Sequence, residues 1–266
     1  MLIFPHLATG ALAQYPIRKI ISQRSIESVL EDGTRIVTPD RTGRYIQWTI
    51  PFKALSDQEA DSLRAFFGVT QGKLLPFVFL DPTSNLLMSS EDFASDAWST
   101  NSLDLQKGLR DAMGNSAAFR LHNATSLDQS VTQLTQIPGA AHTCFSIYLR
   151  SDTPGTALLC RRAGGLLQTI TVSTRPDWQR YFIVGNFQNS LDPTTYSLVL
   201  SAGTNLDASG AQVDAQGTPS PYMASGRVSN VFTNARFDMS ELAINATGPN
   251  RNDCAVSIRA SLVPGN

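Results

Sequence analysis

The stretch from Leu55 to Leu87 constrains the fold more than any other part of the chain. Ser56 is a favoured N-cap, and Glu59, three residues on, is placed to return a hydrogen bond to the Ser56 amide, so residues 56–59 form a capping box that starts a helix. Leu55 and Ala60 occupy the staple positions, and Leu63, Phe66 and Phe67 continue the apolar stripe, which gives the helix an aromatic inner face. Gly68 ends the periodicity where a left-handed C-cap is expected, and Gly72 supplies a second turn. The run from Leu74 to Leu80 that follows is too short for a helix and suits a strand covered on both faces. Asp81, Pro82, Thr83, Ser84 and Asn85 then stop it with turn chemistry, and the change of composition after them marks a domain junction.

At 266 residues the chain has room for two domains, each with its own core. Charged residues make up only 16%, and hydroxyl and amide side chains are abundant, which favours a β-rich protein over a helical bundle. The formal charge is -1 and no basic cluster exceeds the pair Arg161, Arg162, so nucleic acid and anionic membranes are not expected partners. Cys144, Cys160 and Cys254 have no zinc-ligand spacing and read as small buried hydrophobes; a Cys144–Cys160 disulfide is the alternative if their strands are neighbours. No run approaches the roughly 20 apolar residues of a membrane span, and residues 1–12 lack the basic start of a signal peptide, so a soluble protein made in a cytoplasm is expected.

In chain order, residues 3–12 are apolar without a period and read as an extended arm in need of a partner surface. Residues 17–29 alternate like an edge strand, Glu31, Asp32 and Gly33 signal a hairpin, residues 34–37 begin the return, residues 39–43 make another turn, and residues 44–52 alternate again. From Asn85 to about Tyr222 short β-prone runs recur, at 117–122, 130–135, 143–150, 157–161, 166–172, 179–185, 196–201 and 210–213, in the manner of a jelly-roll sandwich. After Ser225 come a β run and a terminal hairpin, with Val256, Ile258, Ala260 and Leu262 on one face. The first segment has too few strands to close and the last has a hairpin without a partner, so the two are expected to pair. The expected fold is mainly all-β: a small β-barrel with one packed α-helix, residues 1–85 and 226–266, carrying an inserted jelly-roll sandwich, residues 86–225.

The run from Tyr15 to Pro82, with its DG hairpin, acidic-to-aromatic helix, Gly turn and Phe-rich strand, and the closing segment from Ala235 to Leu262, resemble the barrel of long-tailed phage minor tail proteins of the lambda M type and the related distal tail proteins. The middle resembles the carbohydrate-binding-module-like jelly rolls of phage tail tips, on residues 85–98, the runs FSIYLRS and DWQRYFIVG, and residues 209–223. The resemblance implies a homo-hexameric ring in the virion tail tip, made in the host bacterial cytoplasm. Its partners would be the tail tube protein, the hub or tip proteins and a host-surface polysaccharide. A stand-alone glycan-binding module or adhesin is the alternative.

Catalytic patterns are missing from the sequence. The five glutamates, Glu27, Glu31, Glu59, Glu91 and Glu241, show no pairing with an aspartate on a common strand, and His6, His122 and His142 have no nucleophile motif beside them. No enzyme activity, cofactor or metal is therefore expected; Asp92, Asp96, Asp207 and Asp214 offer oxygen ligands without the spacing of a calcium loop. For glycan contact the candidates are Trp98, Tyr148 and Tyr196, which can stack on a sugar, and Arg161 and Arg162, beside a Gly164-Gly165 turn, which suit an acidic glycan. Trp178 and Tyr222 are further aromatic candidates, although most aromatics in a sandwich fill its core.

Overall fold

The computed structural model describes residues 1–262; residues 263–266 of the expected first domain lie outside the described residues. The chain divides into two compact units. One comprises Met1–Ala8, Ala13–Phe79 and the chain from Phe232 onward; the other comprises Thr9–Leu12 and Leu80–Val231.

In the first unit β1 (Arg18–Val29) and β2 (Arg35–Leu55) form an antiparallel hairpin running from Arg18↔Thr49 to Val29↔Arg35. Its turn is held by Asp32, whose Oδ1 accepts the Thr34 amide at 2.9 Å, and by Gly33 at φ +83°, a conformation open to glycine. The turn expected at residues 39–43 is instead an irregularity inside the continuous β2. Asp40 there accepts the Thr42 amide and hydroxyl and pairs with Arg24, where the register of β1 shifts.

Helix α1 (Asp57–Val69) follows with the expected capping box, Ser56 Oγ accepting the Glu59 amide at 3.3 Å and Glu59 accepting the Ser56 amide at 2.9 Å. Its C-cap is Thr70 rather than Gly68; the left-handed turn is made by the next two residues, Gln71 and Gly72, and the Gly72 amide donates to the Phe67 carbonyl at 3.1 Å. Strand β3 (Phe77–Leu80) is shorter than the expected run, and all four of its residues are buried.

Fifteen strands are described in the chain. Of these β13 (Val231–Phe237), β14 (Ile244–Gly248) and β15 (Arg251–Ser261) return to the first unit. β15 pairs with β2 from Asn252↔Leu55 to Ser261↔Tyr45, so the terminal hairpin supplies the third strand beside the first hairpin. The strand order β1-β2-β15-β13-β3, with β14 on β15, is an open path. A closed barrel is therefore not seen among the described residues; β1 remains an edge, and β3 is flanked on its outer side by residues 2–4. The residue arm does not wait for a partner either: Phe4 donates its amide to the Val78 carbonyl at 3.0 Å and accepts no solvent, being fully buried, while Ile3 bridges Val78 in parallel. Phe4, Phe66, Phe77, Phe79 and Phe237 form an aromatic core, with Phe66 and Phe77 centroids 5.2 Å apart, and Trp48 joins it at 4.8 Å from Phe79.

The second unit is a sandwich of a five-stranded and a four-stranded sheet. The first has the order β10 (Gln179–Gly185), β7 (Thr143–Arg150), β12 (Asn205–Asp214), β5 (Ala118–His122), β4 (Asp104–Leu109); the second has β6 (Gln129–Pro138), β11 (Pro193–Leu200), β8 (Gly155–Ala163), β9 (Leu166–Thr174). The chain passes between the sheets at each of the connections β5–β6, β6–β7, β7–β8, β9–β10, β10–β11 and β11–β12, as a jelly roll does. β4, DLQKGL, carries only Leu105 and Leu109 as apolar residues, four apart, and so shows no period of two. β12 is longer than expected because nine of its ten residues are buried and its period is broken at Gly210, φ +60°, opposite Tyr148. Phe145, Ile147 and Leu149 of β7 and Leu159, Tyr196 and Leu198 of the other sheet are buried, and the Phe145 and Tyr196 ring centroids lie 5.4 Å apart. The cysteines are free and buried, as the sequence suggests, and burial together with the charge of Asp214 pushes the Cys144 thiol up to about 12.

Candidate functional site

Strand alternation sorts the five expected contact residues. Arg161 lies in step with Ala157, Leu159 and Ala163 on the inner face of β8, not on a solvated hairpin end, and is fully buried. Its Nη2 donates to Thr143 Oγ1 at 3.0 Å and its Nη1 to Gln168 Oε1 at 3.2 Å, with the guanidinium 5.4 Å from the Phe187 ring centre and 5.9 Å from that of Tyr196. Tyr196 is equally buried, its hydroxyl 2.8 Å from Thr143 Oγ1, so neither residue reaches a ligand. Trp98 is a core residue too: its indole N–H donates to the Ser89 carbonyl at 3.1 Å and its ring meets Phe93 edge-on at 5.0 Å. Arg162, one step out of phase with Arg161, is exposed on the outer face of β8 opposite Thr195 and Leu167. Tyr148 is half-buried on the outer face of β7, under the Arg180 guanidinium at 5.3 Å. The five are not assembled into one site.

A different constellation is assembled. Asp207 of β12, Arg120 of β5 and Arg150 of β7 are cross-strand neighbours on the outer face of the five-stranded sheet. Asp207 is buried and accepts from Arg120 Nε at 2.7 Å, Arg120 Nη2 at 3.2 Å and Arg150 Nε at 2.9 Å. The hydrogen bond to Asp207, then its charge, raise the Arg120 guanidinium further above its ordinary range. Arg150 in turn stacks on Trp178, 4.8 Å from the ring centre. Both Asp207 oxygens are thus engaged by arginine, and no group of three His, Cys, Asp or Glu side chains that could hold a metal is found among the described residues.

Beside this cluster a cavity of about 280 Å³ opens at one end of the sandwich. Two of the crossings between sheets wall it: the β7–β8 loop contributes Ser151, Asp152 and Thr153, and the β11–β12 turn contributes Gly203 and Thr204. Ser151 pins its loop by donating Oγ to the Asn205 carbonyl at 2.8 Å and its amide to Arg175 at 2.7 Å. Asp152 stands at the mouth, 87% exposed, 3.8 Å from Arg120 Nη2. The arrangement offers hydroxyls, a carboxylate and a guanidinium edge for hydrogen bonding. Of the three charges only Arg120, between Phe119 and Leu121 in the short β5, stands out in the sequence; Arg150 ends β7, and Asp207 shares β12 with Ser209, Gln212 and Asp214.

Comparison with protein-family models gives no match, and neither does comparison with curated proteins. Among solved structures the chain is similar to TmCBM61 in complex with β-1,4-galactotriose, at 14% identity and a TM-score of 0.41, covering 49% of this chain and 98% of that one. It is similar to the enzymatically active domain of bacteriophage CBA120 tailspike protein 4, at 14% identity and a TM-score of 0.40; the match covers 50% of this chain and only 22% of the tailspike chain. A family 16 carbohydrate-binding module is similar at 13% identity and a TM-score of 0.40, with 48% of this chain and 99% of that one covered.

Proposed function

We propose that the chain is a non-enzymatic structural component of a phage or phage-like tail tip, in which the first unit forms a ring between tail tube and tip proteins and the sandwich contacts host-surface saccharides. The observation that carries the ring is the far half of the β1–β2 hairpin. There Ile26 (53% exposed) and Ile36 lie on one face and Val29 (64%) and Val37 (62%) on the other, so both faces of a two-stranded ribbon present apolar side chains. A lone two-stranded ribbon is marginally stable in water, and apolar surface of this kind marks an association site. Head-to-tail contacts that close into a ring cover it without leaving an open end; the count of six follows from the family resemblance, as do the location in the virion and synthesis in a bacterial cytoplasm.

Native mass spectrometry of the purified protein, alone and with its tube protein, tests the reading. A defined ring is expected, and deletion of residues 26–37 with a two-residue turn in their place reduces it to monomer. A wild-type monomer under both conditions, or hydrolysis of a polysaccharide panel, refutes it. The second reading, a stand-alone glycan-binding module, is favoured by the end cavity of the sandwich and predicts saccharide binding by a protein that remains monomeric.

A further inference from the structure

We propose that the cavity between the β7–β8 loop and the β11–β12 turn holds the terminal, uncharged pyranose residue of a saccharide, an inference that rests on the saccharide-contacting role proposed above for the sandwich. Three features argue for it. The first is size and place. About 280 Å³ falls just under the roughly 300–1,000 Å³ of sites for drug-sized ligands, which suits one sugar ring, and walls on two sides suit a chain end better than a chain passing through.

The second is charge. Two arginines share the buried Asp207, and Arg120 has Asp152 on its open side, so the cations are matched by carboxylates before any ligand arrives. A uronic acid entering past Asp152 meets a like charge, whereas a neutral sugar meets an acceptor. Arg175 and Asp177 of the adjoining β9–β10 loop, both exposed, cancel each other and leave that balance unchanged.

The third is the kind of lining. Thr153, Thr174 and Thr204 bring hydroxyls, Asp152 an acceptor and Arg120 a donor edge, and no aromatic ring lines the cavity. Recognition there is by hydrogen bonds to ring hydroxyls, with Asp152 bridging a vicinal pair, and not by stacking. This also accounts for the failure of the expected aromatic candidates to converge.

Saturation-transfer NMR on the full chain, with neutral methyl pyranosides and the matching uronic acids as probes, tests the assignment. At least one neutral pyranoside is expected to bind, D152A is expected to weaken it roughly tenfold or more, the loss typical of a charged hydrogen bond, and R162A, on the outer face of the other sheet, is expected to bind as the wild type does. Asp152 is so exposed that D152A keeps the fold, which an unchanged thermal midpoint verifies. Equal binding by D152A, loss of binding in R162A, or preference for uronic acids overturns the proposal. If polysaccharides bind but no monosaccharide does, the end cavity is wrong while saccharide contact stands; if nothing binds, both fall.

Discussion

The two halves of the β1–β2 hairpin are both rich in apolar, β-prone residues, and along β2 those residues have opposite fates. Near the root, Ile46, Trp48 and Ile50 of β2 are buried, because β15 lies alongside with Ala260, Ile258 and Val256 in register and the aromatic core closes over them. The β15 pairing ends at Ser261↔Tyr45, and beyond Arg44, whose carbonyl accepts the Leu262 amide, β1 is the one strand beside β2 among the described residues. Ile26, Val29, Ile36 and Val37 are consequently left in solvent. Alternation makes a strand; burial depends on what lies across from it, and for the root that is supplied by residues 251–261, some two hundred positions away.

Truncating one residue in each half separates them most sharply. Trp48→Ala removes a buried ring packed at 4.8 Å on Phe79 and 4.9 Å on Phe232, and should lower unfolding free energy in urea by about 3–5 kcal/mol. Val37→Ala should leave the monomer within about 0.5 kcal/mol of wild type while weakening the oligomer in native mass spectrometry. A Val37→Ala protein as unstable as Trp48→Ala would mean that the far half is covered within the chain itself.

Much of this was legible beforehand, and the rest was not for definite reasons. The capping box, the Phe-rich strand and the pairing of the terminal hairpin follow from local chemistry and from unmatched edges, both visible in the sequence. The helix end was misplaced because Gly68 has no need of a left-handed φ when Gln71 and Gly72 make the turn. The apolar arm is indistinguishable in sequence from a free one, and only Val78 opposite it reveals that it pairs at home. In the sandwich, Arg161 and Arg162 differ by one step along β8, so one is buried and the other exposed; a turn after both said nothing about phase. The Arg120–Asp207–Arg150 cluster comes from three strands far apart in the chain, and cross-strand register is what a single sequence hides.

The helix extends the comparison to a smaller scale. Phe66 is only half-buried, though its ring lies 5.8 Å from Phe4 and 5.9 Å from Phe237, so Phe66→Ala should fall at or below the lower end of the roughly 3–5 kcal/mol seen for such truncations. Ser56→Ala, which removes one half of the capping box, should lower stability by about 1 kcal/mol. Thermal unfolding of the two variants in parallel checks the order; equal midpoints would show that the aromatic face contributes little beyond the cap.

The smallest expected effect sits at the boundary between the two halves of the hairpin, where Asp40 ties the irregular part of β2 to Arg24 of β1. Hydrogen bonds from the Thr42 hydroxyl and amide, and then the bond to Arg24, hold the Asp40 carboxyl down at about 2 against an ordinary 3.8. The native state therefore favours the ionised form more than the unfolded chain does. Above about pH 4 the carboxylate is charged in both states and its contribution is fully present; between about pH 4 and 2 the unfolded chain takes up the proton first, and the contribution fades as the folded group titrates. Asp40→Asn should remove that part of the pH dependence while leaving the root of the hairpin as it was. Amide exchange in residues 25–39, followed from pH 5 to pH 2, is the measurement: the wild type should lose protection there as the pH drops, and the variant should show weaker protection with a flatter profile. If both profiles have the same slope, Asp40 does not set the boundary, and the divide between the halves rests on the end of β15 alone.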